Sequence, residues 1–104
     1  MKEIQALENI NAQGNRTLLK AYSQSKERNN DLLDFNEIVR EQDVRPITAT
    51  LPEAGIREFT FSSRMTGAVE ILAEFKKQGA EIQDIVSVKG YDGELIPAVL
   101  LKIR

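Results

Sequence analysis

The chain has no cysteine and no histidine among its 104 residues. Without cysteine, disulfides and thiolate chemistry are excluded; without histidine, the usual neutral-pH acid/base group and the imidazole metal ligand are missing. An excess of one charge is also lacking. The 14 Lys plus Arg stand against 16 Asp plus Glu, a formal net charge of -2, so no global basic field draws in nucleic acid. Apolar residues make up 41%, enough for one modest core, so one domain is expected over residues 1–104, with an N-terminal helical segment at 1–30 and a compact core at 31–104. The opening residues, Met1-Lys2-Glu3-Ile4-Gln5, carry no apolar run of signal-peptide type, and no stretch approaches the length of a membrane span. A soluble, cytoplasmic protein with no membrane partner is the expectation.

The second half of the chain carries the clearest pattern. Ile56 to Phe61 alternates, with Phe59 and Phe61 on one face, as a half-buried strand does. Ser62 or Ser63 is suited to cap a helix whose Met65, Ala68, Val69, Leu72 and Phe75 form an apolar stripe, and Gly79 closes that helix. Ile82 to Lys89 reads as a strand, Asp92-Gly93 as a hairpin turn, and Leu95 to Ile103 as a central strand with a bulge near Pro97. The fold class is therefore α+β: N-terminal helices packed with a β-α-β-β unit, whose small three-stranded mixed sheet has a right-handed crossover between its first two strands. Such a sheet leaves an edge open to a partner strand, guarded by Glu81, Asp84 and Lys89.

In the first half, Ile4, Leu7, Leu18 and Ala21 share a helical stripe that Asn11, Gly14 and Ser25 interrupt, and Thr17 to Lys26 is its firmer part. Asn29 suits a left-handed helix end, and Asn30 or Asp31 can cap a second helix with Leu32, Phe35, Ile38, Val39 and Gln42 inside. Asp31, Asp34, Glu37 and Glu41 then form a carboxylate ladder on a solvated helix face. Arg45-Pro46 ends this helix and opens a short one towards Gly55, kinked at Pro52.

Chemistry is sparse. No catalytic constellation, metal signature or nucleotide loop is present, so no catalytic residue, cofactor or metal ligand is assigned and the protein is read as a non-enzyme. The corner Ser62-Ser63-Arg64 is the candidate anion-binding site, with two hydroxyls and a guanidinium at a strand-to-helix junction, although helix capping alone is the favoured account of the serines. It would serve an enzyme acting on a phosphorylated or carboxylate ligand. Lys2, Arg16, Lys20, Lys26 and Arg28 are the residues a nucleic-acid-binding regulator would use, but few aromatics accompany them for stacking. Ile4, Leu7 and Ile10 are surplus to one core and are the candidate contact for a protein partner or for self-association.

Lys26-Glu27-Arg28 ahead of Asp31-Leu32-Leu33-Asp34-Phe35, then Pro46-Ile47, Ala49-Thr50-Leu51, Gly55-Ile56, Glu58-Phe59-Thr60, Ser62-Ser63 and Ile96-Pro97-Ala98, give the chain a resemblance. Over about three quarters of its length it resembles a family of small uncharacterised proteins of Firmicutes mobile elements and prophages. The resemblance implies a genetic context without supplying an activity. The absence of catalytic parts points to an accessory protein of a mobile element that acts by protein-protein binding, with host defence machinery and an element-encoded enzyme as the candidate partners.

Overall fold

Three helices and four strands make up the described residues, 16–36 and 39–104, of the computed structural model, alternating until a closing pair of strands. Their order is α1 (Arg16–Glu27), β1 (Asp34–Phe35), α2 (Glu41–Glu53), β2 (Glu58–Phe61), α3 (Ala68–Lys77), β3 (Ala80–Lys89) and β4 (Leu95–Ile103). The strands form one mixed sheet in the order β1-β2-β4-β3, with β1 and β2 parallel and the other neighbours antiparallel. The fold is α+β as the pattern implies.

Aromatic burial organises the core. The chain has four phenylalanines, and they join through one of them: Phe75 of α3 packs against Phe35 of β1 and Phe59 and Phe61 of β2, and Phe35 also meets Phe59, with ring centroids 5.2 to 6.1 Å apart in these pairs. Edge-on and tilted geometries such as these add stabilisation beyond area burial. Val44, Ile47 and Leu51 recur at spacings of three and four along α2 and close the same cluster with Ile71, Leu101 and Ile103.

Helix α1 buries Leu18, Ala21 and Ser25 along one stripe. It ends in a Schellman motif: Asn29 takes the left-handed φ of 61°, its N–H bonds the Lys26 carbonyl, and the Asn30 N–H bonds the Ser25 carbonyl. Ser25 is not an interruption of the stripe. Because Thr60 of β2 pairs with the Leu33 side of β1, the Asp34 backbone N–H and C=O point away from the sheet. The Ser25 hydroxyl meets both, accepting from the N–H at 2.9 Å and donating to the carbonyl at 3.4 Å. One buried hydroxyl thus closes the edge that β1 would otherwise expose. Ser25→Ala is expected to lower stability by about 1–3 kcal/mol, the penalty for a buried unsatisfied donor. Urea denaturation checks this against Ser23→Ala, which alters an exposed neighbour and is expected to leave the midpoint in place.

Five expectations need correction. The sheet has four strands rather than three, because the segment read as the start of a helix forms β1. The spacing of Leu32, Phe35 and Val39 fits a helix, but the Leu33 and Phe35 carbonyls bond the Thr60 and Ser62 N–H groups, and that pairing prevails. Asp34, placed on a solvated face, is instead buried. Pro46 does not separate two helices, since α2 runs through both Pro46 and Pro52. Pro46 and Gln42, whose carbonyl loses its partner, are both exposed, so water can serve that carbonyl. Neither Ser62 nor Ser63 caps α3, which begins after Gly67 in the left-handed region. Finally, the bulge lies between Ile82 and Asp84 rather than near Pro97. Strand β2 pairs only as far as Val99, so Pro97 of β4 has no neighbour on that side and its missing N–H breaks no bond there. The central position of β4 agrees with its apolar character.

Candidate functional site

The parallel register of β1 and β2 sets two polar rows on one face of the sheet. Asp34 pairs with Thr60 and Phe35 with Phe61, so the phenylalanines turn to the core while Asp34 and Thr60 share the opposite side. Asn36 and Ser62 continue those rows one step past the carboxyl ends of the strands. The Thr60 hydroxyl donates to Asp34 Oδ1 and the Ser62 hydroxyl to Asp34 Oδ2, each at 2.6 Å, and Asn36 Nδ2 donates to Ser62 Oγ at 2.8 Å. Asp34 is only 2% exposed. Burial raises its pKa above the ordinary carboxylate value, while the Ser62 and Thr60 hydrogen bonds and the Arg28 charge act in the opposite direction.

Beyond this cluster lies an open cleft of about 370 Å³. Asn36, Ser62, Arg64 and Met65 line it from the strand ends, and Tyr91, Asp92, Glu94 and Ile96 line it from the β3–β4 hairpin. The hairpin is held in place by α1's exit loop. Asn30 Nδ2 donates to the Lys89 carbonyl at 3.0 Å, its Oδ1 accepts the Lys89 N–H at 2.8 Å, and the Arg28 guanidinium lies 5.6 Å from the Tyr91 ring centre. Gly90 is buried there, and a Cβ on it would stand 3.3 Å from the Ile96 side chain, tighter than ordinary contact. Crevices at the carboxyl ends of parallel strands commonly receive ligands.

The core side of the sheet carries a second feature. Ile82 pairs with Leu101 and Ile85 with Val99, so the bulge puts two isoleucines three residues apart on the core-facing side. Leu95 belongs to the same row of β4. Helices α2 and α3 cover β1, β2 and the Ala80, Leu101 and Ile103 end of β3 and β4, but Ile82, Ile85 and Leu95 remain 50%, 62% and 71% exposed. Alongside them, Asp84 accepts the Ile85 N–H with its own carboxylate at 2.7 Å, which withdraws that donor from an incoming strand.

Of the residues singled out in the sequence, Ser62 and Arg64 reach the cleft together. Ser63 instead accepts the Met65 N–H at 3.3 Å, steadying the loop before α3. Ser62 has committed its proton to Asp34, an arrangement invisible before the pairing of β1 with β2. Lys26 lies over the Tyr22 ring at 5.9 Å. Ile4, Leu7, Ile10 and Lys2 lie outside the described residues. The polar cluster itself has only a weak sequence signal, the alternation Asp34-Phe35-Asn36 set against Thr60-Phe61-Ser62. No described helix is long and apolar enough to cross a membrane.

Residues 17–98 match a family described as a domain of unknown function, DUF7698, and the chain belongs to that family. No curated protein and no solved structure matches it.

Proposed function

We propose that this member of the DUF7698 family acts by binding another protein, through the exposed part of β3 and β4 on the core-facing side of its sheet, as an accessory protein of a mobile element. The observation that carries the reading is the row Ile82, Ile85 and Leu95. Three large exposed aliphatic side chains on one sheet face, brought there by the bulge at Ile82 and with the Ser87–Pro97 pair between Ile85 and Leu95, are placed as a docking surface is, whereas isolated exposed apolar residues are ordinary. The guarded backbone at Ile85 favours side-chain docking over strand addition. The mobile-element context, with host defence machinery as a candidate target, comes from the resemblance in sequence.

Two other readings have less support. For nucleic-acid binding, Lys26 and Arg28 already lie over the Tyr22 and Tyr91 rings, and the four phenylalanines that could add stacking surface are buried in the core. For an anion-binding enzyme at Ser62, Ser63 and Arg64, the Ser62 hydroxyl proton faces Asp34 rather than a ligand.

The test compares proteins captured from the native host by the wild type and by the double variant Ile82→Asp, Ile85→Asp. Both positions are exposed, so the variant should fold, as circular dichroism would verify. A partner retained by the wild type and lost by the variant is expected. Recovery of the same proteins by both would sink the reading, as would recovery of none by either.

A further inference from the structure

We propose that the cleft between the β1–β2 strand ends and the β3–β4 hairpin binds a small zwitterion, with a primary ammonium and a carboxylate on a short, partly apolar frame, of which a free amino acid is the simplest kind. The inference stands apart from the protein-binding reading, since it uses the other side of the sheet.

Hydrogen-bond polarity sets the chemistry. The chain of donors runs Asn36 Nδ2 to Ser62 Oγ to Asp34 Oδ2. With its own proton directed at Asp34 and one lone pair taken by Asn36, Ser62 can offer a ligand only its remaining oxygen lone pair. Asp92 and Glu94 on the facing hairpin are acceptors as well. A lining so rich in acceptors suits a group with several N–H donors and a positive charge, which an ammonium supplies. Arg64, on the strand side, presents a guanidinium fork suited to a carboxylate. Met65 and Ile96 add apolar wall. Two signs of charge on one lining select a ligand that carries both, and a volume of about 370 Å³ holds a molecule of amino-acid size.

The buried carboxylate is the independent observation. Asp34 is 2% exposed, two neutral hydroxyls hold it, and the Arg28 charge acts on it without a hydrogen bond among those described. Asp34 lies on the side of the sheet away from the phenylalanines, and its burial is costly, which the two hydroxyl hydrogen bonds it accepts offset only in part, so this carboxyl group under the cleft floor has room for a reason beyond folding. Orienting the Ser62 hydroxyl away from the ligand is such a reason.

The test titrates the proteinogenic amino acids into labelled protein and follows backbone amide shifts by NMR. Saturable shifts at millimolar concentration are expected for at least one of them, confined to Asn36, Ser62, Arg64 and the 90–94 turn. Arg64→Ala and the double variant Asp92→Asn, Glu94→Gln should each weaken that binding by about tenfold or more. All three substituted positions are exposed, and unchanged melting curves would show the fold intact. The amine lacking the carboxylate should bind as weakly as Arg64→Ala binds the amino acid. Absence of saturable shifts with every amino acid overturns the proposal. So does equal binding of the decarboxylated amine, or binding that both variants leave unchanged.

Discussion

Phe75→Ala is expected to lower the free energy of unfolding by about 3–5 kcal/mol. Phe75 is the hub of the core: it contacts Phe35, Phe59 and Phe61, three rings from two strands, at 6.1, 5.2 and 6.1 Å. Truncation removes the transfer energy of one large side chain and leaves a cavity that three rings on a hydrogen-bonded sheet are poorly able to fill. A domain of this size has about 5–15 kcal/mol of stability in all, so the variant should be marginal at room temperature. Urea denaturation followed by circular dichroism provides the number. Val69→Ala on the same helix is the control: Val69 is 75% exposed, and the change should stay within about 0.5 kcal/mol. If both variants shift the midpoint equally, the aromatic cluster is not what holds α3 to the sheet.

The second large effect is at Asp34. Asp34→Ala removes the acceptor of two buried hydroxyls. Thr60 keeps an alternative in the Leu33 carbonyl at 3.4 Å, whereas Ser62 keeps none among its described bonds, so the loss falls mainly on Ser62, at about 1–3 kcal/mol. The pH dependence separates charge from packing. Burial raises the Asp34 pKa in the folded protein above the ordinary value of 3.8 that the unfolded chain shows. Between those two values the native state still holds a proton that the unfolded state has released. Stability contributed by this group therefore falls as pH rises through the window, by up to about 1.4 kcal/mol per pH unit, and is level above the folded pKa. Asp34→Asn abolishes this contribution while keeping shape. Wild type minus Asp34→Asn, measured by urea midpoints from pH 4 to pH 7, should thus decline with rising pH and then flatten. A difference that grows with pH would mean that the hydroxyls and Arg28 outweigh desolvation, and the assigned direction would be wrong.

Local chemistry made much of this protein legible without coordinates. Period-two alternation at Phe59 and Phe61, the apolar stripe Ala68, Leu72 and Phe75, and the glycines at 79 and 93 are short-range signals whose physics acts within a few residues. The same holds for Asn29, whose left-handed conformation ends α1. These determined an α+β class, the hairpin, and the helix between β2 and β3.

Other features depend on residues far apart in the chain. A two-residue strand is too short to display a period, so β1 exists only because Thr60 and Ser62 offer N–H groups to the Leu33 and Phe35 carbonyls, with Asp34 and Thr60 paired across a separation of 26 residues. Once β1 pairs, Asp34 must point away from the phenylalanines, and a carboxylate that reads as solvated becomes buried among hydroxyls. Ser25 is a flaw in an isolated helical stripe and a cap in the folded protein, because only the sheet edge beside it supplies the groups it bonds. Pro46 stays inside α2 because its face is open to water, which no local propensity reports. The sequence by itself determined which segments are helix, strand and turn wherever the signal is local. Tertiary structure alone decided the fourth strand, the buried carboxylate and the cleft above it, because each arises from backbone hydrogen bonds and desolvation between segments that meet only after folding.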